Sequence, residues 1–224
     1  MPFQKFAASI LALLFSLPPS PAADDPWKKS WTQWTKAECE EVILASSPTA
    51  SVREEHPAVD GTSVYIVGAP EIRVVVHWST AITRRQANLR LKILSGEITE
   101  AQAQEGLRKT REHIILQVML LSNVQAHFRD KEALEKVALS TAYLFFPRSK
   151  TKVSPVKVEV FPRPGFEEPA LVRLYFPRLV ERRPVVEAEE KNVALVWPRI
   201  AAGFKALNVE FALAKLAADP ANEL

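Results

Sequence analysis

The sequence is poor in the residues that most catalytic and cofactor chemistries require, with one cysteine, six glycines and four histidines among 224 residues. A single thiol, Cys39, excludes an intrachain disulfide and any multi-cysteine zinc knuckle. Six glycines leave little material for the glycine-rich loops that cradle phosphates, and no G-x-S-x-G elbow is present. His56, His77, His113 and His127 form no H-x-x-x-H or H-E-x-x-H pair, so no metal site and no cofactor are expected. His56 beside Asp60, or His127 beside Asp130, would need the fold to supply further ligands. His77 and His113 read instead as strand residues on the less buried face. Cys39 stands between Glu38 and Glu40, whose carboxylates disfavour a thiolate, so it suits the buried side of a helix better than nucleophilic chemistry. No run of 18 apolar residues follows the N-terminus, and no transmembrane anchor is expected in the mature chain.

What is present is the material of a globular protein, 47% hydrophobic and 25% charged. Lys5 precedes an apolar run from Ala7 to Leu17, which spans only about 16 Å as a helix against a bilayer core of about 30 Å. Pro18 and Pro19 follow, then Ser20-Pro21-Ala22 with small residues where a signal peptidase reads. This pattern predicts a cleaved signal peptide over residues 1–22, periplasmic or secreted localisation, and a single α+β domain over 23–224 with a sub-boundary near 139–141. The charge is uneven. Residues 24–60 carry four Lys/Arg against eight Asp/Glu, and residues 141–183 carry nine against four.

The N-terminal half reads as helix-rich. Thr35-Lys36-Ala37-Glu38 is a capping box opening a helix whose Cys39, Val42 and Ile43 share a face, and Ser46-Ser47-Pro48 ends it. Ile72, Val74, Val76 and Trp78 alternate as the core side of a strand. Thr80 is placed to cap a helix running through Ile82, Ala87, Leu89, Leu91, Ile93 and Leu94, with Gly96 in the left-handed cap position. Thr99-Glu100-Ala101-Gln102 opens a short helix, and the apolar run His113 to Leu121 predicts a central strand buried on both faces. Asp130 caps a helix to about residue 138.

From there the period becomes two. Four tripeptides, Phe146-Pro147-Arg148, Phe161-Pro162-Arg163, Phe176-Pro177-Arg178 and Trp197-Pro198-Arg199, each close a strand-like run, because proline cannot donate to a ladder. The short spacings predict an antiparallel meander. Leu207, Val209, Phe211 and Leu213 alternate as a final strand. The expected fold is therefore α+β, a helix-rich N-terminal part packed on a mainly antiparallel sheet whose C-terminal half is a meander.

The stretch Trp34-Thr35-Lys36-Ala37-Glu38-Cys39-Glu40, followed by Ser46-Ser47-Pro48, resembles the start of a group of uncharacterised secreted bacterial proteins. That resemblance implies secretion and carries no catalytic residue with it.

Two features stand out as ligand surfaces. Trp27, Trp31 and Trp34 have i, i+4, i+7 spacing, which on a helix puts three indoles on one side, to stack on a glycan, to lie at a membrane interface, or to clamp over the sheet. Arg148, Arg163, Arg178 and Arg199 either hold an anion or solvate strand ends, and in a meander they divide between opposite edges. The acidic groups Glu54-Glu55 and Glu187, Glu189, Glu190 read as solvated runs. Together these readings favour a non-catalytic binding, scaffold or assembly protein with an envelope protein or glycan as partner and no nucleic acid. The alternative is an envelope hydrolase or glycan-binding protein using the tryptophans.

Overall fold

The computed structural model describes residues 26–53, 71–108, 112–122, 130–162, 169–200 and 204–217. Among these lie helices α1 (Lys36–Ala45), α2 (Ile82–Leu94), α3 (Glu100–Arg108) and α4 (Lys131–Thr141). The strands are β1 (Thr49–Arg53), β2 (Glu71–Trp78), β3 (His113–Ser122), β4 (Tyr143–Phe146), β5 (Thr151–Val153), β6 (Lys157–Pro162), β7 (Pro169–Pro177), β8 (Leu179–Val180), β9 (Arg183–Pro184), β10 (Asn192–Trp197) and β11 (Leu207–Ala212). Every pairing is antiparallel, so the chain is the α+β protein with antiparallel sheets that its periodicity implies. Residues 1–22, where a signal peptide is expected, lie outside the described residues.

A five-stranded sheet has the order β1-β2-β3-β7-β6, a four-stranded sheet the order β11-β10-β4-β5, and β8-β9 form a separate hairpin. The described strands of the C-terminal half are thus all antiparallel, yet its hairpins are divided between two sheets. One continuous meander would leave an apolar face of each strand in water. Sending β6 and β7 to pair with β3 lets the two sheets cover one another instead. Ile72, Val74, Val76 and Trp78 of β2 are fully buried in this core, with Leu116 and Val118 of β3 and Val172, Leu174 and Phe176 of β7. Leu144, Phe146, Val193, Leu195, Trp197, Leu207, Val209 and Phe211 of the smaller sheet belong to the same cluster. The Trp78 ring meets Phe211 edge-on at 5.4 Å. This core contains residues from Ile72 to Ala217, and it runs across residues 139–141, which form the last turn of α4.

Local chemistry sets the element ends. Thr35 and Glu38 form both bonds of the capping box at α1, and Thr99 and Gln102 form theirs before α3. Asp130 caps α4 through Ala133 N. Gly96 adopts φ +76 after α2, the left-handed conformation that glycine takes without penalty. Thr80 does not cap α2. The N-cap is Ala81, and Thr80 is buried with its hydroxyl accepting Ile115 N at 3.2 Å, because the turn after β2 stays hydrogen-bonded to β3. The four aromatic-proline units end β4, β6, β7 and β10 at the aromatic residue or at the proline itself.

Candidate functional site on the outer face of the five-stranded sheet

Because directly paired residues of antiparallel strands share a face, the registers fix what the outer side of the larger sheet carries. Val75, Met119, Leu171 and Phe161 form one row across four strands, and His77, Gln117, Arg173 and Glu159 form the next. Ile115, Tyr175 and Lys157 make a third row. The central strand β3 is fully buried on one face only, not on both as its composition implies. Its outer Met119 and Leu121 are 36% and 42% exposed, since the smaller sheet packs against the opposite side.

The polar part of this face is bonded within itself. Lys157 Nζ lies 2.7 Å from Glu159 Oε1, while Tyr175 donates its hydroxyl to Glu159 Oε2 and Arg173 Nη1 stands 3.5 Å from the same oxygen. Arg173 also donates to Tyr175 Oη at 3.3 Å and stacks 4.8 Å from the Phe161 ring centroid. Both carboxylate oxygens of Glu159 are thus engaged. The Lys157 and Tyr175 hydrogen bonds hold its carboxyl below the usual range, and the same pairing raises Lys157. Two cations share one carboxylate here, which leaves local positive charge beside an apolar row.

At one corner of the sheet His77 Nδ1 lies 2.7 Å from Ser47 Oγ, a serine–histidine pair thirty residues apart that no local motif marks. Its chemistry is structural. Arg84 donates to Ser47 Oγ and, at 3.2 Å, to the Ile43 carbonyl, one of the last carbonyls of α1, where a cation also meets the favourable end of the helix dipole. Burial, aided by the Arg84 charge, lowers His77 to about 4, so it is a weak base for activating a hydroxyl that already accepts from a guanidinium. The neighbouring Arg85 does the same for α3, donating to the Gly106 and Leu107 carbonyls at 2.7 and 3.1 Å. Two consecutive arginines on α2 therefore fasten the helices on either side of it.

The tryptophans do not share one helix. Pro26–Lys28 and Trp31–Gln33 are two separate 3₁₀ turns, with Trp34 beyond the second. Trp34 is buried and donates its Nε1–H to the Pro26 carbonyl at 2.8 Å. It packs with Cys39, Val42 and Ala87, while Trp27 and Trp31 lie partly buried against the same cluster. Arg90 Nε donates to the Trp34 carbonyl at 2.9 Å, and Lys29 pairs with Glu38 at 2.8 Å. The indoles clamp the α1–α2 pair. Cys39 is fully buried beneath them, and desolvation raises its thiol.

The arginines are dispersed. Arg148 forms an ion pair with Glu189, and Arg199 is exposed after β10. Since β4 and β10 run antiparallel, these two stand at opposite ends of the smaller sheet. Arg178 is half-buried after β7, in the other sheet, and desolvation lowers its pKa. Arg163 lies outside the described residues, as do His56, His127 and Glu54-Glu55. Glu190 departs from the expected solvated run: it is buried, and its carboxylate accepts Ser149 N at 2.8 Å to close the turn after β4. Glu187 and Glu189 are exposed. Among the described residues no group of three or more His, Cys, Asp or Glu is placed to hold a metal ion, and no helix is long and apolar enough to cross a membrane.

Comparison with protein-family models, curated proteins and solved structures finds no match.

Proposed function

We propose that this chain is an exported, non-catalytic binding or assembly protein that engages its partner through the outer face of the five-stranded sheet. The observation that carries the reading is the exposure of Met119 and Leu121 on the central strand, where a sheet ordinarily places its best-covered residues. Contiguous exposed apolar rows flanked by polar ones are the usual makeup of protein interaction surfaces. The N-terminal pattern of a short apolar run and a small-residue cleavage site supports export, into a periplasmic or extracellular space. The glycan reading rested on exposed indoles, and the burial of Trp34 with the packing of Trp27 and Trp31 removes its main support.

A photo-crosslinking residue at position 119 tests this in the native envelope. The expected result is a discrete adduct that disappears when Leu171→Glu is introduced in the neighbouring position of the same row. Adducts that persist with Leu171→Glu, or that form equally from the exposed position 210 on β11, would overturn the assignment.

A further inference from the structure

We propose that copies of this chain associate head to tail, the exposed side of α1 in one copy lying on the outer face of the five-stranded sheet in the next. The inference rests on the docking role just assigned to that face and names its occupant. Ala37, Glu40, Glu41 and Leu44 recur at the i, i+3, i+4, i+7 positions of α1, and all four are exposed. Leu44 is 73% exposed, more than any other large hydrophobic among the described residues. An isolated leucine on a surface needs no explanation. This one sits on a helix held rigidly at both ends, by the Thr35–Glu38 capping box and by Arg84 on the Ile43 carbonyl, and acidic residues stand one turn before it.

The two surfaces are complementary in charge and in spacing. On the sheet, Met119, Leu171 and Phe161 form the apolar row, and Arg173 lies in the adjacent row, about 7 Å away at two residues along a strand. On α1, Glu40 and Glu41 precede Leu44 by about 6 and 4.5 Å along the axis. A helix laid with Leu44 on the Met119 row can bring its carboxylates to Arg173, one of the two cations that share the single carboxylate of Glu159. The contact uses different patches on the two partners, so each copy keeps one open and growth continues. A ten-residue helix covers less than the roughly 800 Å² per partner of a standard interface. The association is therefore weak, reversible and sensitive to salt.

Sedimentation of the full chain as exported tests the proposal. The parent should gain weight-average mass as its concentration rises through about 10 to 500 µM, the range expected of a small interface, and lose it in 0.5 M salt, where the screening length is about 4 Å. Leu44→Glu and Met119→Glu should each stay monomeric with unchanged melting, because both positions are exposed. Their equimolar mixture should form a one-to-one species and nothing larger, since the intact α1 of the Met119→Glu copy meets the intact sheet of the Leu44→Glu copy. Glu41→Lys, milder for folding, should weaken assembly several-fold. A parent that remains monomeric, or a mixture that does, would overturn the proposal. So would Leu44→Glu assembling like the parent, which leaves the outer face a docking surface but removes α1 as its occupant. Failure of the docking reading itself would appear separately, as the loss of a specific adduct from position 119.

Discussion

The two faces of the five-stranded sheet are built from the same strands, one residue out of step, and they follow opposite rules. Toward the smaller sheet, Ile72, Val74, Val76 and Trp78 alternate with outward residues and are fully buried, and a second apolar layer meets them. On the other side, Val75, Met119, Leu171 and Phe161 are equally apolar by type, yet Met119 is 36% exposed. The polar groups beside them, Glu159, Tyr175, Arg173 and Lys157, bond to one another across β6 and β7, with only Arg173 Nε left unpaired among their buried atoms. An inner face needs a partner layer to fold. An outer face with its polar groups already bonded can stand in water and still offer apolar area to a partner, because little new desolvation of unpaired charge is required on contact.

Aromatic truncations test that contrast most strongly. Trp78→Ala and Phe176→Ala remove fully buried rings and should each cost about 3 to 5 kcal/mol. Phe161→Ala removes a partly exposed ring that stacks on the Arg173 guanidinium, and should cost about 1 to 2 kcal/mol. Denaturant midpoints of the three variants measure this directly. Equal losses for Phe161 and Phe176 would mean that the outer face is a second core and not a surface.

The smaller contrast lies within the outer face, between its open centre and the corner where His77 meets Ser47. Burial and Arg84 keep His77 near 4, against about 6.5 in an unfolded chain. Between those values the unfolded chain binds a proton that the folded one does not, so stability falls as pH drops from about 6.5 and the loss levels off below about 4. His77 is partly exposed to solvent, and screening reduces the effect to on the order of 1 to 2 kcal/mol. The Glu38 carboxyl, held at about 2 by Lys29 and the capping bonds, loses its contribution as pH falls from about 4.5 to about 2, overlapping only the lower end of the histidine window. His77→Gln should flatten the stability profile between pH 6.5 and 4.5. A profile as steep as the parent's would place the titration elsewhere.

The capping boxes, the β2 strand, α2, the strand-ending prolines and β11 were legible because each depends on local chemistry or on a period within one segment. Division of the C-terminal hairpins between two sheets was not, since β6 and β7 carry no local mark of whether they pair with β4 or with β3. The outer face was missed for the same reason. Gln117 in the middle of β3 is the one polar break in an apolar run, and it signals an uncovered side, but Met119 and Leu121 hide that signal. The tryptophan spacing misled in the other direction: Ser30 and Trp34 adopt extended backbone at ψ 136 and 133, so residues that a helix would align are fixed instead by the Trp34–Pro26 hydrogen bond. Glu190 looks in sequence like one charge in a run, whereas Ser149 N, distant in sequence, decides its burial.

The finest discrimination between the two faces comes from substitutions expected to do almost nothing to stability. Met119→Ser and Leu121→Thr both lie on the central strand, where truncation on the inner side, as at Val118 or Leu120, creates a cavity. On the outer side both are exposed, at 36% and 42%, so the apolar area withdrawn from water is already incomplete, and the strand propensity of threonine offsets part of what Leu121 loses. Each change should shift stability by less than about 0.5 kcal/mol, while the pair reduces binding of a hydrophobic-surface dye and lowers the yield of adducts from a crosslinker at the adjacent position 171. Val118→Ser provides the reference, with a loss of about 2 to 4 kcal/mol from a buried site on the same strand. If Met119→Ser approached that value, something within this chain would have to cover the outer face, and its role in docking a partner would fall with it.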